Sequence, residues 1–200
     1  MSAPRLYLIT PLVTDASAFL PSYEAALGAA DIACLLLRAA GEDIVRRLAP
    51  IAQQGGTACL ISDPQLAAAA DCDGVHVEGV GVELAAALAA MKPQQRIVGA
   101  GGLLTRHEAM CAGEAGVDYV MFGGPDEHRD FAEIREKTAW WTELFNPPCV
   151  AYAGVLDEIA ALAAAGAEFI ALCDAVWSDP HGPAAAVETA KRSLLREAAA

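Results

Sequence analysis

The chain has 200 residues, of which 55% are apolar, so it can bury a sizeable core, and no shift in composition divides it; we expect one domain over residues 1–200. The formal net charge of −13 repels phosphate backbones and anionic lipids, which argues against nucleic-acid and membrane partners. No apolar run approaches the ~20 residues of a membrane span and no signal-peptide pattern precedes the first apolar run, so we expect a cytoplasmic protein.

Eight short apolar runs follow one another along the chain and are predicted to be strands. They cover residues 5–9, 33–37, 57–61, 74–77, 96–99, 118–122, 149–152 and 168–172. Most are continuously apolar and rich in Val, Ile and Leu, which is typical of parallel strands covered on both faces.

Segments with helical spacing separate these runs. Phe19, Tyr23 and Leu27 illustrate the spacing in the first of them, where they predict an amphipathic helix. Thr105 followed three residues later by Glu108 predicts a capping box at the start of the fifth helix.

The alternation of strands and helices predicts the α/β class. Residues 60–77 hold a strand end, a short helix and a second strand within eighteen residues, so the loops must be short. The order fits a single (β/α)8 TIM barrel with short loops or an open doubly wound sheet. Eight evenly spaced units favour the barrel, and residues 10–15 lack the Gly-rich phosphate turn that an open sheet would usually carry after its first strand.

In a barrel of this kind the functional residues lie at the carboxyl ends of the strands. The residues at those positions are Thr10, Arg38, Ser62, Asp63, His76, Glu78, Gly101, Gly102, Gly123, Gly124, Ala153, Gly154, Cys173 and Asp174. The six cysteines show no CxxC spacing, so we interpret them as small hydrophobic residues rather than disulfide partners or zinc ligands.

Several of these strand ends carry recognisable sequence. Residues 6–11, Leu-Tyr-Leu-Ile-Thr-Pro, form the opening strand, and residues 61–76 combine Ser-Asp-Pro with Asp-Gly-Val-His. Residues 117–123, 153–155 and 165–171 fit the sixth, seventh and eighth strands. With these motifs the chain resembles the thiamine-phosphate synthase and thiazole tautomerase superfamily along nearly its whole length.

The resemblance implies a transferase of thiamine biosynthesis. In active synthases of this family a pyrimidine diphosphate ionises with the help of Mg²⁺, and a thiazole phosphate captures the pyrimidine cation. The implied cofactor is therefore Mg²⁺, and the implied small-molecule partners are thiamine precursors.

Arg38 and Asp63 are the family positions that this chain keeps. Arg38 matches the arginine of the family's Gln-Leu-Arg-Glu-Lys strand, although Leu36 replaces its glutamine and Ala40 its lysine. Asp63 matches the first magnesium carboxylate. The second falls on Gly81, so Glu78 becomes the candidate second metal ligand only if the loop shifts.

The family's pyrophosphate loop after the sixth strand is missing. Residues 125–130, Pro-Asp-Glu-His-Arg-Asp, stand there instead, and His128 and Arg129 only partly offset the three carboxylates. Two like charges ~4 Å apart repel by roughly 4 kcal/mol at an effective dielectric of 20, which opposes the binding of a diphosphate.

The thiazole-phosphate site of the family maps onto Gly154, Val155 and Asp174. Gly154 lets backbone approach a ligand closely. Asp174 places a carboxylate where phosphate would sit, and we interpret it rather as the N-cap of the helix that follows. A thiazole tautomerase would need a histidine after the fifth strand, where Leu103 and Leu104 stand; His107 falls within the next helix and is interpreted as a solvated residue.

Three hypotheses stay open at this point. The first is a synthase with a rewired site that uses Arg38, Asp63 and His76, the last as a proton shuttle unless it is only a core histidine. The second is a non-catalytic member that binds a small molecule or a protein partner. The third is a site for a cationic or metal-bearing ligand formed by Asp63, Glu78, His76 and the acidic residues 126–130.

An aromatic cluster marks the predicted sixth helix. Trp140, Trp141 and Phe145 are interpreted as outer packing or as a subunit contact, because an aromatic pair on a barrel helix does not reach the face where the site lies. The second interpretation makes a homodimer a hypothesis.

Overall fold

Eight parallel strands close into a barrel in the computed structural model, which describes residues 4–127 and 130–197. Each strand pairs with its neighbours in chain order, and the last pairs with the first. The strands are β1 Arg5–Ile9, β2 Ile32–Leu36, β3 Ala58–Ile61, β4 Gly74–Glu78, β5 Ile97–Gly101, β6 Tyr119–Phe122, β7 Cys149–Ala153 and β8 Phe169–Leu172. The predicted barrel is confirmed, the open sheet is wrong, and strand ends differ from the prediction by one or two residues.

The helices form the outer layer of the barrel. They are α1 Ala16–Ala29, α2 Glu42–Gln54, α3 Pro64–Ala69, α4 Val82–Met91, α5 Arg106–Ala115, α6 Phe131–Leu144, α7 Ile159–Ala164, α8 Asp174–Trp177 and α9 Pro183–Glu197. Short 3₁₀ turns cover Lys92–Gln94 and Leu156–Glu158. No helix in the described part of the chain is both long and apolar enough to span a bilayer.

Side-chain caps fix where several helices begin. The Asp15 carboxylate accepts hydrogen bonds from the amides of Ser17 and Ala18 at the start of α1. At the start of α5, Thr105 and Glu108 form the predicted capping box. These caps satisfy amides that have no partner inside the helix, so they set the entry of each helix against its strand.

The core has two parts, one between helices and barrel wall and one inside the barrel. Residues that pack together inside the barrel are Tyr7, Ile9, Cys34, Leu36, Leu60, Tyr119, Met121, Val150, Tyr152, Ala171 and Cys173. Because side chains alternate across a strand, each strand supplies residues to both parts, which explains the continuous apolar runs of the sequence.

Trp177 joins the last strand of the barrel, and the short helix after it, to the first strand. Its indole Nε1 donates a hydrogen bond of 2.7 Å to the carbonyl of Ile9, and its ring lies 4.9 Å from that of Phe19. The short helix after β8 is thereby fastened to β1 and α1.

The cysteines and the α6 aromatics take the structural roles that the sequence indicated. All six cysteines are free, and five of them are buried. Trp141 is fully buried and stacks on Phe145 with ring centroids 4.3 Å apart, while Trp140 packs edge-on against both. The outer-packing interpretation is confirmed, and the subunit contact stays a prediction.

Candidate active site

A pocket of about 240 Å³ lies at the carboxyl ends of the strands. Arg38, His76 and Glu78 line it from β2 and β4, and Gly124 and Asp126 close it from the segment after β6. The barrel thus brings Arg38, from the end of one strand, together with His76 and Glu78, from another.

Arg38 lies two residues beyond the end of β2, where its amide donates a hydrogen bond of 2.9 Å to Thr10 Oγ1. Its guanidinium Nη2 lies 2.5 Å from Asp126 Oδ2, and the Asp126 side chain is 75% exposed. The positive charge that the family would offer to a diphosphate is therefore already paired with a carboxylate of the same chain.

His76 projects from the middle of β4 into the barrel and is almost completely buried. Its Nδ1 lies 2.7 Å from the hydroxyl of Tyr119. Its Nε2 lies 3.4 Å from Glu78 Oε1, an ion-pair distance, but it has no partner with hydrogen-bonding geometry. The Nδ1 edge of the imidazole is thus held by Tyr119, and the Nε2 edge is turned toward the pocket.

Two glutamates lie near His76, and their environments move their pKa values in opposite directions. The contact with His76, 3.4 Å away, lowers the pKa of the Glu78 carboxyl, and the charge of Arg38 adds to the effect. Burial raises the pKa of Glu127, and the nearby Glu78 carboxylate raises it further. A carboxyl pair whose pKa values are pushed apart beside a histidine is an arrangement suited to proton transfer.

Asp63 lies outside this pocket, in a neighbouring one of about 250 Å³ that shares Arg38 and Ser62 with it. Its Oδ1 accepts hydrogen bonds from the amides of Gln65 and Leu66 and so caps α3. Both bonds use Oδ1, so Oδ2 takes no part in the cap.

The described residues contain no group of three or more His, Cys, Asp or Glu side chains arranged to hold a metal ion. Mg²⁺ usually takes one or two protein carboxylates and completes its shell with substrate phosphate and water. Asp63 and Glu78 line adjoining pockets and carry the carboxylates that Mg²⁺ prefers, whereas a site made by protein groups alone does not fit the described residues.

The residues expected to hold the thiazole phosphate lie at the ends of β7 and β8. Val155 and Asp174 line a separate pocket of about 260 Å³, but the Gly154 amide donates a hydrogen bond of 2.9 Å to Glu158 Oε2. The N-cap position of α8 is Cys173, and Asp174 is the first helical residue, so the suggested N-cap at Asp174 is wrong by one position. An amide that phosphate would need is therefore committed to a carboxylate.

The acidic segment after β6 reaches the pocket with its first two carboxylates. Asp126 pairs with Arg38, and Glu127 lies close to Glu78. Asp130 instead caps α6 by accepting from the amides of Ala132 and Glu133. His128 and Arg129, which we expected to offset the charge, lie outside the described residues.

Two features of the site escaped the sequence analysis. Tyr119 and Tyr7 lie inside the barrel below His76, with their hydroxyls 2.9 Å apart. The sequence did carry one signal for Tyr119: it lies in a predicted strand whose neighbour contains glycine, which leaves space for a large ring. His107, in contrast, is exposed on α5, as the sequence indicated.

A closed parallel barrel with ionisable side chains gathered at its strand ends is the architecture of a (β/α)8 barrel enzyme. A family model described as thiamine monophosphate synthase matches residues 6–176, and the chain belongs to that family. The thiamine-phosphate synthase of Rhodospirillum centenum is 42% identical and covers 97% of this chain and 99% of its own length. That of Hyphomonas neptunium is 38% identical, covering 92% and 90%.

Solved structures show the same fold. The thiamine phosphate pyrophosphorylase from Pyrococcus furiosus superimposes with a TM-score of 0.79 at 21% identity, covering 96% of each chain. A 3-hexulose-6-phosphate synthase gives a TM-score of 0.78 at 17% identity, covering 94% of this chain and 99% of its own. At these identities the likeness concerns architecture alone.

Proposed function

We propose that the protein acts as a thiamine-phosphate synthase, joining a pyrimidine diphosphate to a thiazole phosphate with Mg²⁺ in thiamine biosynthesis. The observation that carries the proposal is the convergence of Arg38, His76 and Glu78 on one strand-end pocket. Relatives that bear this name over nearly their full length support the same reaction.

Arg38 is the group proposed to hold the leaving diphosphate. The diphosphate would replace Asp126 on the guanidinium, because a bidentate arginine–phosphate pair, with two parallel hydrogen bonds, is stronger than a contact with an exposed carboxylate. Asp63 and Glu78 would hold Mg²⁺, which, when bound, supplies positive charge to the leaving group. His76 would contribute a hydrogen bond or a proton at the reacting end.

Gly154, Val155 and Asp174 are proposed to face the thiazole phosphate at the ends of β7 and β8. For the Gly154 amide to reach the phosphate it must leave Glu158. The exchange is feasible because Gly154 has no side chain to obstruct the ligand.

A second candidate function is binding without turnover. The Arg38–Asp126 ion pair favours it, since a ligand with little negative charge would then suit the pocket better than a diphosphate. A thiazole tautomerase-like activity has less support, because residues 102–104 contain no histidine and His107 is exposed. A single domain over residues 1–200, a cytoplasmic location and a homodimer accompany the proposal; light scattering tests the last.

Purified protein supplied with both substrates and Mg²⁺ tests the reaction, with thiamine phosphate measured by chromatography. Arg38→Gln is expected to lower turnover by about 10- to 100-fold, because a hydrogen bond to a charged group contributes ~1.5–3 kcal/mol. Arg46→Gln is the matched control, since Arg46 is an exposed arginine on α2 that pairs with Glu42.

Asp126→Asn separates the two candidate functions. For a synthase the variant should lower the KM for the diphosphate by up to about fivefold, the equivalent of one exposed ion pair. Absence of product from both the wild type and this variant would contradict the synthase and leave the binding function.

A further inference from the structure

Three polar side chains form a continuous hydrogen-bonded chain inside the barrel. The Tyr7 and Tyr119 hydroxyls are 2.9 Å apart, and the Tyr119 hydroxyl lies 2.7 Å from His76 Nδ1. All three side chains are buried. The chain runs from a cavity of about 370 Å³ lined by the two tyrosines to the strand-end pocket lined by His76.

Glycines of β5 make room for this chain. Gly99 pairs with His76 on one side and with Tyr119 on the other, and a Cβ there would lie 1.9 Å from Tyr119 Cζ. A Cβ at Gly101 would lie 2.5 Å from His76 Nε2. Any larger residue at either position would displace the imidazole or the phenol, so the barrel interior is shaped around both rings.

The hydrogen-bonded series ends, on the side of the strand-end pocket, in an unsatisfied polar atom. His76 Nε2 is, among the residues that the structure describes, the one buried side-chain nitrogen or oxygen without a hydrogen-bond partner. Leaving such an atom unpaired costs about 1–3 kcal/mol, so its position in a pocket indicates that a ligand atom completes it.

Electrostatics determine which group donates and which accepts in each of these hydrogen bonds. A neutral imidazole carries its proton on one of two nitrogens, and the hydrogen bond at the other decides which. The Glu78 Oε1 atom lies 3.4 Å from Nε2, so the negative charge of that carboxylate favours the proton on Nε2. Nδ1 then accepts from Tyr119, and Tyr119 accepts from Tyr7; burial raises the pKa of both phenols, which keeps them protonated donors.

We propose that Tyr119 is a positioning residue that holds His76 with its proton on Nε2, so that the pocket offers an N–H donor to an acceptor atom of the ligand. Tyr7 orients Tyr119 in turn. An uncharged acceptor suits this donor, because without a bound cation a phosphate oxygen there would meet the Glu78 carboxylate, which lies 3.4 Å from Nε2. Only the identity of the ligand rests on the proposed function; the geometry of the imidazole does not.

Nitrogen-15 NMR of histidine-labelled protein tests the proposal, because protonated and unprotonated ring nitrogens have well-separated shifts. His76→Gln identifies the His76 signals by their loss. The expected pattern is a protonated Nε2 and an unprotonated Nδ1 in the wild type. The reverse pattern would overturn the proposal.

Tyr119→Phe removes the hydroxyl that holds Nδ1 and should shift the His76 signals toward a mixture of both forms. Tyr7→Phe should produce a smaller shift in the same direction. Tyr23→Phe is the matched control, since it removes a buried hydroxyl that donates to the Leu48 carbonyl outside the barrel interior. Unchanged His76 signals in folded Tyr119→Phe, or an equal change in Tyr23→Phe, would overturn the positioning role.

Turnover gives a second, separable measurement. If the protein is a synthase, Tyr119→Phe should lower kcat by about tenfold, the equivalent of one hydrogen bond, whereas Tyr23→Phe should not. If wild-type protein makes no product, the proposed function fails, and the NMR pattern still decides whether Tyr119 sets the imidazole.

Discussion

Glu127 holds a carboxyl group in a half-buried position beside a second carboxylate. Burial and Glu78 raise its pKa, while the Gly102 amide, which donates to it, partly opposes the rise. Ionisation of this group therefore opposes folding. The penalty is absent below the ordinary value of 4.5, where the carboxyl is protonated in both states, and it grows as the pH rises through the folded-state pKa.

Glu127→Gln is thus expected to stabilise the protein at pH 7 and to have no effect near pH 4. The gain should be at most about 0.5 kcal/mol, because solvent screens a half-exposed group and glutamine keeps an oxygen for Gly102. Thermal unfolding at both pH values measures it, with the exposed Glu143→Gln on α6 as control. A stabilisation of equal size at both pH values would contradict the electrostatic account.

The sequence could identify Arg38, His76 and Glu78 because position at a strand end is enough to place a residue at the site of a barrel. It could not identify Tyr119, since which tyrosine meets His76 depends on the register of three neighbouring strands. Nor could it reveal that Glu158 occupies the Gly154 amide, because that bond depends on the turn after β7.

At the scale of elements, β5 is the strand that gives the barrel interior its shape. Gly99 and Gly101 leave the space that Tyr119 and His76 fill from the strands on either side. Glycine normally weakens a strand. Here the packing of the His76 and Tyr119 rings, and the hydrogen bond between them, offset that loss.

Gly99→Ala should destabilise the protein by about 1–3 kcal/mol, because the new methyl group would collide with the Tyr119 ring. Denaturant unfolding measures the change. Gly28→Ala on α1 is the control of opposite sign, since its Cβ meets nothing within 4 Å and alanine favours a helix by about 0.5–1 kcal/mol. A neutral Gly99→Ala would show that the ring can move aside.

The capping box of α5 gives a second prediction for an element. Thr105→Ala should cost about 1 kcal/mol, because the hydroxyl accepts the Glu108 amide at 3.1 Å. Adding Glu108→Gln should cost less than in the wild type, since the Thr105 hydroxyl also donates to the Glu108 carboxylate at 3.1 Å and that bond is already lost. Strictly additive losses in denaturant unfolding would mean that the two residues act independently.

At the scale of the whole molecule, the fold could be predicted almost completely. Eight runs such as residues 118–122 and 168–172 are too short and too apolar for surface helices, and their even spacing favours a barrel over an open sheet. The fine position of strand ends depends on pairing between strands, which single runs do not encode.

The net charge of −13 predicts a salt-dependent stability. Self-repulsion opposes the compact state, and raising the ionic strength from about 0.01 M to 0.15 M shortens the Debye length from about 30 Å to 8 Å. Tm should therefore rise with NaCl. MgCl₂ at matched ionic strength is the comparison, since any additional rise reports specific binding of the cation; a Tm that falls with NaCl would contradict the repulsion.

The pairing of β1 with β8 has a consequence for the synthesis of the protein on the ribosome. β1 leaves the ribosome first, yet the strand that covers its second edge follows roughly 160 residues later. At about 5–20 residues per second, the nascent protein exposes that edge for about 10–30 s. Throughout this interval the backbone groups of Arg5–Ile9 can recruit another polypeptide, so chaperone protection matters most before the final strand emerges.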